Sequence, residues 1–311
     1  MKSALLLLLL VALPCAEALA GEHTGIVSRM SARLPETPSR IVTLGDLSTE
    51  LVLALGLEPI GAGGLEGYRR QSKPWAERLD DTRSLGSAQQ PNLEALIALK
   101  PDLIIGSSSL HRGLFERLDR LAPTVLYRVS LAPTGQDTVA AGAAMLRHLA
   151  QLTGRQERAE AVLAEMHVAL AEARQAARES GVAEQPLAVL YPLVNQGLFI
   201  VSNEQTLVVS LANRLGSSNP WPLREANSIH KRIDIHALAG KPDLNLFLIG
   251  GYQGASMFET RLWQALPVAE KQRYGFLETR YWSFGGPGTA TALARQMSEV
   301  LRRMGMDDPA R

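Results

Sequence analysis

Apolar positions along the chain follow a strand–helix alternation that is interrupted in the middle by one long helical pattern. Arg40 is followed by Ile41-Val42-Thr43-Leu44, a β-branched run closed by Gly45, which predicts a short buried strand. Asp46 and Ser48 then offer capping oxygens, and Leu51, Leu53, Ala54 and Leu55 predict a helix that Gly56 stops. Pro59-Ile60-Gly61 begins an extended piece leading into a glycine-rich stretch, 61–67. Pro91-Asn92-Leu93-Glu94 opens another helix, with Asn92 as cap and Glu94 in the first turn. Lys100-Pro101-Asp102 ends it, and Leu103-Ile104-Ile105-Gly106 reads as a second buried strand. This alternation predicts an α/β fold with a mainly parallel sheet flanked by helices.

From Gln136 to Gly181 there is no strand signal. Arg155 to Ser180 contains neither proline nor glycine, so roughly 25 residues, about 38 Å, can run as one helix. Val162, Met166, Ala169, Leu170 and Ala173 keep a narrow apolar seam along it. A two-helix hairpin or a coiled-coil dimer is the alternative, though the seam is rich in alanine and short for a coiled coil. After Pro186 the alternation resumes with Leu187 to Tyr191 and Leu198 to Val201. Lys100-Pro101-Asp102-Leu103 recurs as Lys241-Pro242-Asp243-Leu244, again after a helix and before an apolar strand ending in glycine, Gly106 and Gly250. Proline stops the helix and aspartate starts the strand below it in both places. The expectation is two similar lobes, 21–152 and 182–311, joined by a bridging helix at 153–181, with a cleft between them.

The first twenty residues change the compartment. Lys2, an apolar run from Ala4 to Leu13, and the exit Ala18-Leu19-Ala20 read as a secretory signal cut after Ala20, too short to span a bilayer. Cys15 is a candidate lipid acceptor, but Pro14 directly before it suits that processing poorly. Cleavage would remove the chain's one cysteine, which excludes a disulfide scaffold and a thiolate zinc cluster. With 32 Lys+Arg against 31 Asp+Glu there is no basic footprint for nucleic acid. The chain is therefore expected to be exported to the periplasm and soluble.

Two lobes, one bridging helix and an export signal resemble the helical-backbone class of periplasmic substrate-binding proteins that serve ABC importers. The resemblance rests on Arg40 to Leu44, Glu50 to Gly56, Pro91 to Leu96 and Lys100 to Ile104, and covers roughly Ser39 to Met304. Leu262-Trp263-Gln264-Ala265-Leu266-Pro267, Tyr281-Trp282-Ser283-Phe284-Gly285, Gly67-Tyr68-Arg69 and Asn219-Pro220-Trp221 are similar to its hydroxamate-siderophore branch. The family carries ferric siderophores, heme and cobalamin, and the resemblance implies a shallow interlobe cleft lined by aromatic and cationic side chains.

A ferric siderophore wraps its iron in its own oxygens, so a protein meets only the outer shell, through aromatic faces and guanidinium donors. The resemblance assigns Trp221, Trp282, Tyr68 and Phe284 to ligand contact. A large aromatic is more often core than ligand shell, and Trp263, in a helix-like stretch, is expected in the core. The branch has an arginine before its Pro-Asn-Leu-Glu segment, whereas Gly86 to Pro91 has none here. Either Arg69, Arg70, Arg232 or Arg280 supplies that charge from elsewhere, or the ligand is not a simple hydroxamate. By the same resemblance Glu94 and Asp234 are expected to dock on the permease; for Glu94 the alternative is a partner of its helix dipole. Glu50 also matches the family but reads as structural.

Other chemistries find little support. The six histidines show no H-x-x-H, H-E-x-x-H or Cys-His spacing, so no metal site and no resident cofactor are expected. Ser107-Ser108-Ser109 lacks a nucleophile elbow, and Gly61 to Gly64 lacks the rest of a dinucleotide fingerprint. The expectation is a non-enzymatic, monomeric carrier of a hydroxamate or mixed-type ferric siderophore, its iron arriving chelated, for an inner-membrane ABC permease. The rivals are a heme or cobalamin carrier of the same fold, with Tyr68 and the histidines as candidate axial ligands of heme, and, more distantly, an exported α/β hydrolase.

Overall fold

The computed structural model describes residues 25–71, 73–130, 137–222, 230–278 and 285–306. The leader with Cys15, and the site residues Arg280, Trp282 and Phe284, lie outside the described residues.

The N-terminal lobe holds strands β1 (Val27–Met30), β2 (Ile41–Thr43), β3 (Gly61–Ala62), β4 (Arg83–Ser84), β5 (Leu103–Ser107) and β6 (Thr124–Tyr127), in the order β1-β6-β5-β2-β3-β4. All pairings are parallel except that of β1 with β6. The C-terminal sheet has β7 (Leu187–Leu193), β8 (Leu198–Ser202), β9 (His230–Asp234), β10 (Asn245–Ile249) and β11 (Tyr274–Leu277), in the order β11-β10-β7-β8-β9. Its core trio, β11, β10 and β7, is parallel, while β8 runs antiparallel to both neighbours.

Helices in the first lobe are α1 (Asp46–Ala54), α2 (Leu65–Arg70), α3 (Leu93–Leu99), α4 (Ser108–His111) and α5 (Phe115–Asp119). Then come α6 (Thr138–Thr153) and α7 (Gln156–Glu179), and in the second lobe α8 (Leu207–Asn213), α9 (His236–Ala239), α10 (Arg261–Gln264), α11 (Pro267–Glu270) and α12 (Pro287–Met306). Asn92 caps α3 through its side-chain oxygen, which accepts from Ala95 N–H at 3.0 Å. The unbroken α7 spans about 36 Å at its 24 residues. The second helix of the middle segment, α6, ends at Gly154, whose positive φ of 65° suits a left-handed cap.

The seam of α7 (Val162, Met166, Ala169, Leu170, Ala173) is buried in a core that both lobes share. Val52, Ile105 and Tyr127 enter it from one side, and Val189, Phe247, Ile249 and Leu277 from the other. Helix α12 lies along α7 and closes this core. The far face of the C-terminal sheet carries a separate core in which Trp263, 1% exposed, meets Phe258 and Tyr274 edge-to-face at 4.8 and 5.1 Å.

Glu50 ties the lobes together. Its carboxylate, 1% exposed on α1, accepts from Gly286 N–H at 3.0 Å, Thr289 N–H at 2.8 Å and the Thr289 hydroxyl at 2.5 Å. These donors belong to the start of α12, where free amides and the helix dipole favour an anion. At the other lobe, Glu278 N–H, just past β11, donates to Gln296 Oε1 at 3.1 Å. So α12 runs from the first lobe back along β11, and the carboxyl ends of the parallel strands β7, β10 and β11 are the ends that face the N-terminal lobe.

Candidate functional site

A cavity of about 660 Å³ opens along the carboxyl ends of β2 to β6. Its walls come from Gly45 to Ser48 after β2, from Gly64, Arg70 and Lys73 after β3, from Gly86 to Gln89 after β4, from Ser107 and Ser109 at the end of β5, and from Val129 after β6. Strand ends are where a parallel sheet presents side chains and backbone amides to a ligand. The wall combines small and polar residues with the apolar Leu47, Leu110 and Val129, and none of the described residues lining it is aromatic.

Close backbone approach shapes this wall. Gly64 takes φ +79°, and a Cβ there would stand 3.3 Å from the Ala88 methyl, so glycine lets the α2 loop close on the 86–89 loop. Gly64 N–H donates to Gly86 carbonyl at 2.8 Å and holds the two loops together. His111 braces the same loop from behind. It is fully buried; Nδ1 accepts from Ser107 N–H at 3.1 Å and Nε2 lies 2.7 Å from the Ala88 carbonyl, an arrangement satisfied by the neutral ring with its proton on Nε2. Burial lowers the affinity of this imidazole for a second proton, and the hydrogen bond to the Ala88 carbonyl opposes that only in part.

Charge in the cavity is uneven. Lys73 Nζ, almost fully buried, donates to Asp46 Oδ2 at 2.5 Å and lies 5.6 Å from the centre of the Tyr68 ring. Arg69 is held by its own lobe, through the Leu79 carbonyl and Glu66 at 3.8 Å. Arg70 is exposed, lines the cavity and makes no ion pair among the described residues. A guanidinium in that state is suited to the oxygens of an anionic ligand.

The family profile described as periplasmic binding protein matches residues 41–244. The chain belongs to this family. The Fe(3+) dicitrate-binding periplasmic protein FecB of Escherichia coli is 26% identical, over 80% of each chain. The probable siderophore-binding lipoprotein YfiY of Bacillus subtilis is 37% identical, but the match spans only a third of that protein (33%) and 35% of this chain. Among solved structures, the siderophore-binding protein FhuD of Vibrio cholerae with Fe3+-Desferal superposes at a TM-score of 0.73, with 23% identity over 86% of this chain and 98% of that one. The fold is thus the two-lobed α/β architecture of helical-backbone binding proteins. No helix among the described residues is long and apolar enough to cross a membrane, and no group of three metal-binding side chains converges among them.

Within this member of the family, the residues singled out from sequence fall in different places. Arg70 stands in the cavity wall, to which the arginine-free loop 86–89 also contributes. Tyr68 does not: it is 1% exposed, packs with Leu53, Leu65 and Leu79, and donates its hydroxyl to the Pro74 carbonyl at 2.9 Å. Its place on the inner face of α2 makes it core, which corrects the expected ligand contact and removes it as an axial ligand of heme. Trp221 is also misplaced for that role. Ser218 bridges to Pro186 at the amino end of β7, and Lys241 Nζ, four residues before β10, sits 5.3 Å above the Trp221 ring. Trp221 therefore packs at the edge of the second sheet opposite its carboxyl ends, against the core that holds Trp263. Arg232 is exposed in the middle of edge strand β9.

Glu94 is exposed in the first turn of α3, and Asp234 is exposed at the end of β9, where its Oδ1 accepts from Ala237 N–H at 3.1 Å. Sequence reasoning missed Lys73 as a cavity residue and His111 as its brace. A single lysine between two loops and a single histidine in a short helix carry no periodicity, so burial and pairing were the only signals.

Proposed function

We propose that this protein captures a ferric siderophore, of hydroxamate or mixed type, in the cavity beside Arg70 and hands it to an inner-membrane ABC permease. The observation that carries this is the open strand-end cavity of a periplasmic binding protein family member, with the Arg70 guanidinium free of ion pairs among the described residues. Iron arrives wrapped by the chelate, so the protein needs donors for outer oxygens rather than metal ligands, and it holds no resident cofactor. The hydroxyls of Ser107 and Ser109 and the amide of Gln89 join Arg70 as donors. Trp282, Phe284 and Arg280, which precede α12 in the sequence, are further candidate ligand contacts, and Glu94 and Asp234 dock one on each lobe against the permease. The chain works as an exported monomer in the periplasm, its leader cut after Ala20.

Titration of the purified full chain with ferric dicitrate, a ferric trihydroxamate, heme and cobalamin, followed by intrinsic fluorescence, tests this. Saturable quenching by a ferric chelate, weaker with the iron-free chelator, is the expected result. A Soret shift with heme, or saturation by cobalamin alone, would transfer the assignment to those cargoes; indifference to all four would remove it.

A further inference from the structure

The internal repeat of the two lobes points to an aromatic contact that the second lobe contributes to the cleft. The two Lys-Pro-Asp-Leu segments mark the amino ends of β5 and β10, and Gly106 and Gly250 mark their carboxyl ends. In the first lobe the residues that follow, Ser107 and Ser109, line the cavity. In the second lobe the residues that follow are Gly251 and Tyr252. The course of α12, from Glu50 in the first lobe back along β11, turns that end of β10 toward the N-terminal lobe. Gly250 N–H donates to the Leu277 carbonyl at 2.8 Å, so Tyr252 also stands beside the end of β11.

We propose that Tyr252 is a ligand-contacting residue, which presents its ring and hydroxyl to the chelate from the C-terminal lobe while Arg70 holds it from the other. This rests on the siderophore-binding reading. Tyr252 is 37% exposed, one of few large hydrophobic side chains left so on the described surface. Its ring is fixed by the turn beneath it. Gly250 has φ +106°, and a Cβ at that position would stand 2.6 Å from the Tyr252 ring, so only glycine lets the ring fold over the strand end. Tyr252 N–H donates to the Gly250 carbonyl, and the Tyr252 carbonyl accepts from Ala255 N–H, both at 2.9 Å. A pre-positioned aromatic contributes contact area at low entropic cost. The described wall of the first lobe has no aromatic of its own, so Tyr252 supplies what that wall lacks.

Calorimetric titration of Tyr252→Ala, Tyr252→Phe and the wild-type full chain, with whichever ferric chelate the wild type binds, decides the matter. The expected result is about tenfold weaker binding for Tyr252→Ala, with Tyr252→Phe between the two, at a melting temperature close to that of the wild type. Unaltered affinity of Tyr252→Ala, beside intact wild-type binding, overturns the role of Tyr252 alone. Wild-type indifference to every ferric chelate overturns both this proposal and the reading beneath it. A fall in affinity matched by an equal fall for the exposed Lys231→Ala control, on edge strand β9, also counts against a specific contact.

Discussion

His111 shows how one side chain can set the state of a binding wall. Both of its ring nitrogens are used by backbone groups, and the Nδ1 that accepts from Ser107 can do so only while unprotonated. Burial holds its pKa below the ordinary 6.5. The unfolded chain therefore takes up a proton at His111 before the folded one does, and stability rises with pH in the window below 6.5. Above 6.5 the contribution is complete; as pH falls toward the lowered folded value it is lost. Denaturant unfolding of wild type and His111→Gln from about pH 5 to 7.5 should show a stability difference that grows with pH up to about 6.5 and is then flat. The slope of that difference should stay under about 1.4 kcal/mol per pH unit, the limit for one proton. A difference independent of pH would show that the ring does not titrate in this window. The candidate site was legible only in part at this scale, and for a definable reason. An arginine beside a glycine-rich loop announces an exposed cation, and Arg70 is one. An aromatic announces only area to bury. Tyr68 lies on the apolar side of α2 and Trp221 against the sheet's outer core, positions fixed by strand direction and helix phase in three dimensions.

Elements were more legible than sites because their signals are local and repeated. The runs at Ile41 and Leu103, the asparagine cap before Leu93 and the proline-free stretch after Arg155 each state a backbone preference within a few residues. The repeated tetrapeptide also has a physical meaning that spacing alone could not give. Asp102 accepts from Ser39 and Arg40 N–H at 2.8 and 2.9 Å, beside the start of β2, and Asp243 pairs with Arg273 at 3.5 Å, beside the start of β11. In both lobes the aspartate laces a strand to its neighbour at the edge far from the cleft. What the local pattern could not show was the partner of the alanine-rich seam on α7, because α12 lies far away in sequence. Small side chains there let α12 pack close. Ala173 is fully buried in that seam, whereas Val168 on the same helix is 58% exposed. Ala173→Leu should therefore destabilise the protein by about 1–3 kcal/mol through overpacking. Val168→Ala should stay within about 0.5 kcal/mol of the wild type. Equal, small effects in denaturant unfolding would mean that the helix pair tolerates more space than the burial implies.

At the scale of the whole molecule, the arrangement resists bending. A hinge needs a few residues between lobes that can rotate without breaking packed contacts. Here α7 crosses without interruption, its seam belongs to a core shared by both lobes, and Glu50 fixes the start of α12 to α1 with three hydrogen bonds on a buried carboxylate. Opening the lobes would expose that core and strip the donors from a buried anion, a loss of at least about 1–3 kcal/mol for the polar contacts alone. A ligand shifts a conformational equilibrium only by its differential affinity for the two states, so a wide motion becomes favourable only when that difference exceeds the loss. Recognition should then come from loops and side chains at the strand ends, with the lobes nearly fixed. Small-angle scattering of the free and chelate-loaded full chain should give superimposable curves, and Glu50→Ala should be the variant in which they separate. A wild-type change as large as that of a hinged binding protein would mean that the shared core is not the rigid unit, and that α7 yields where its sequence and packing say it should not.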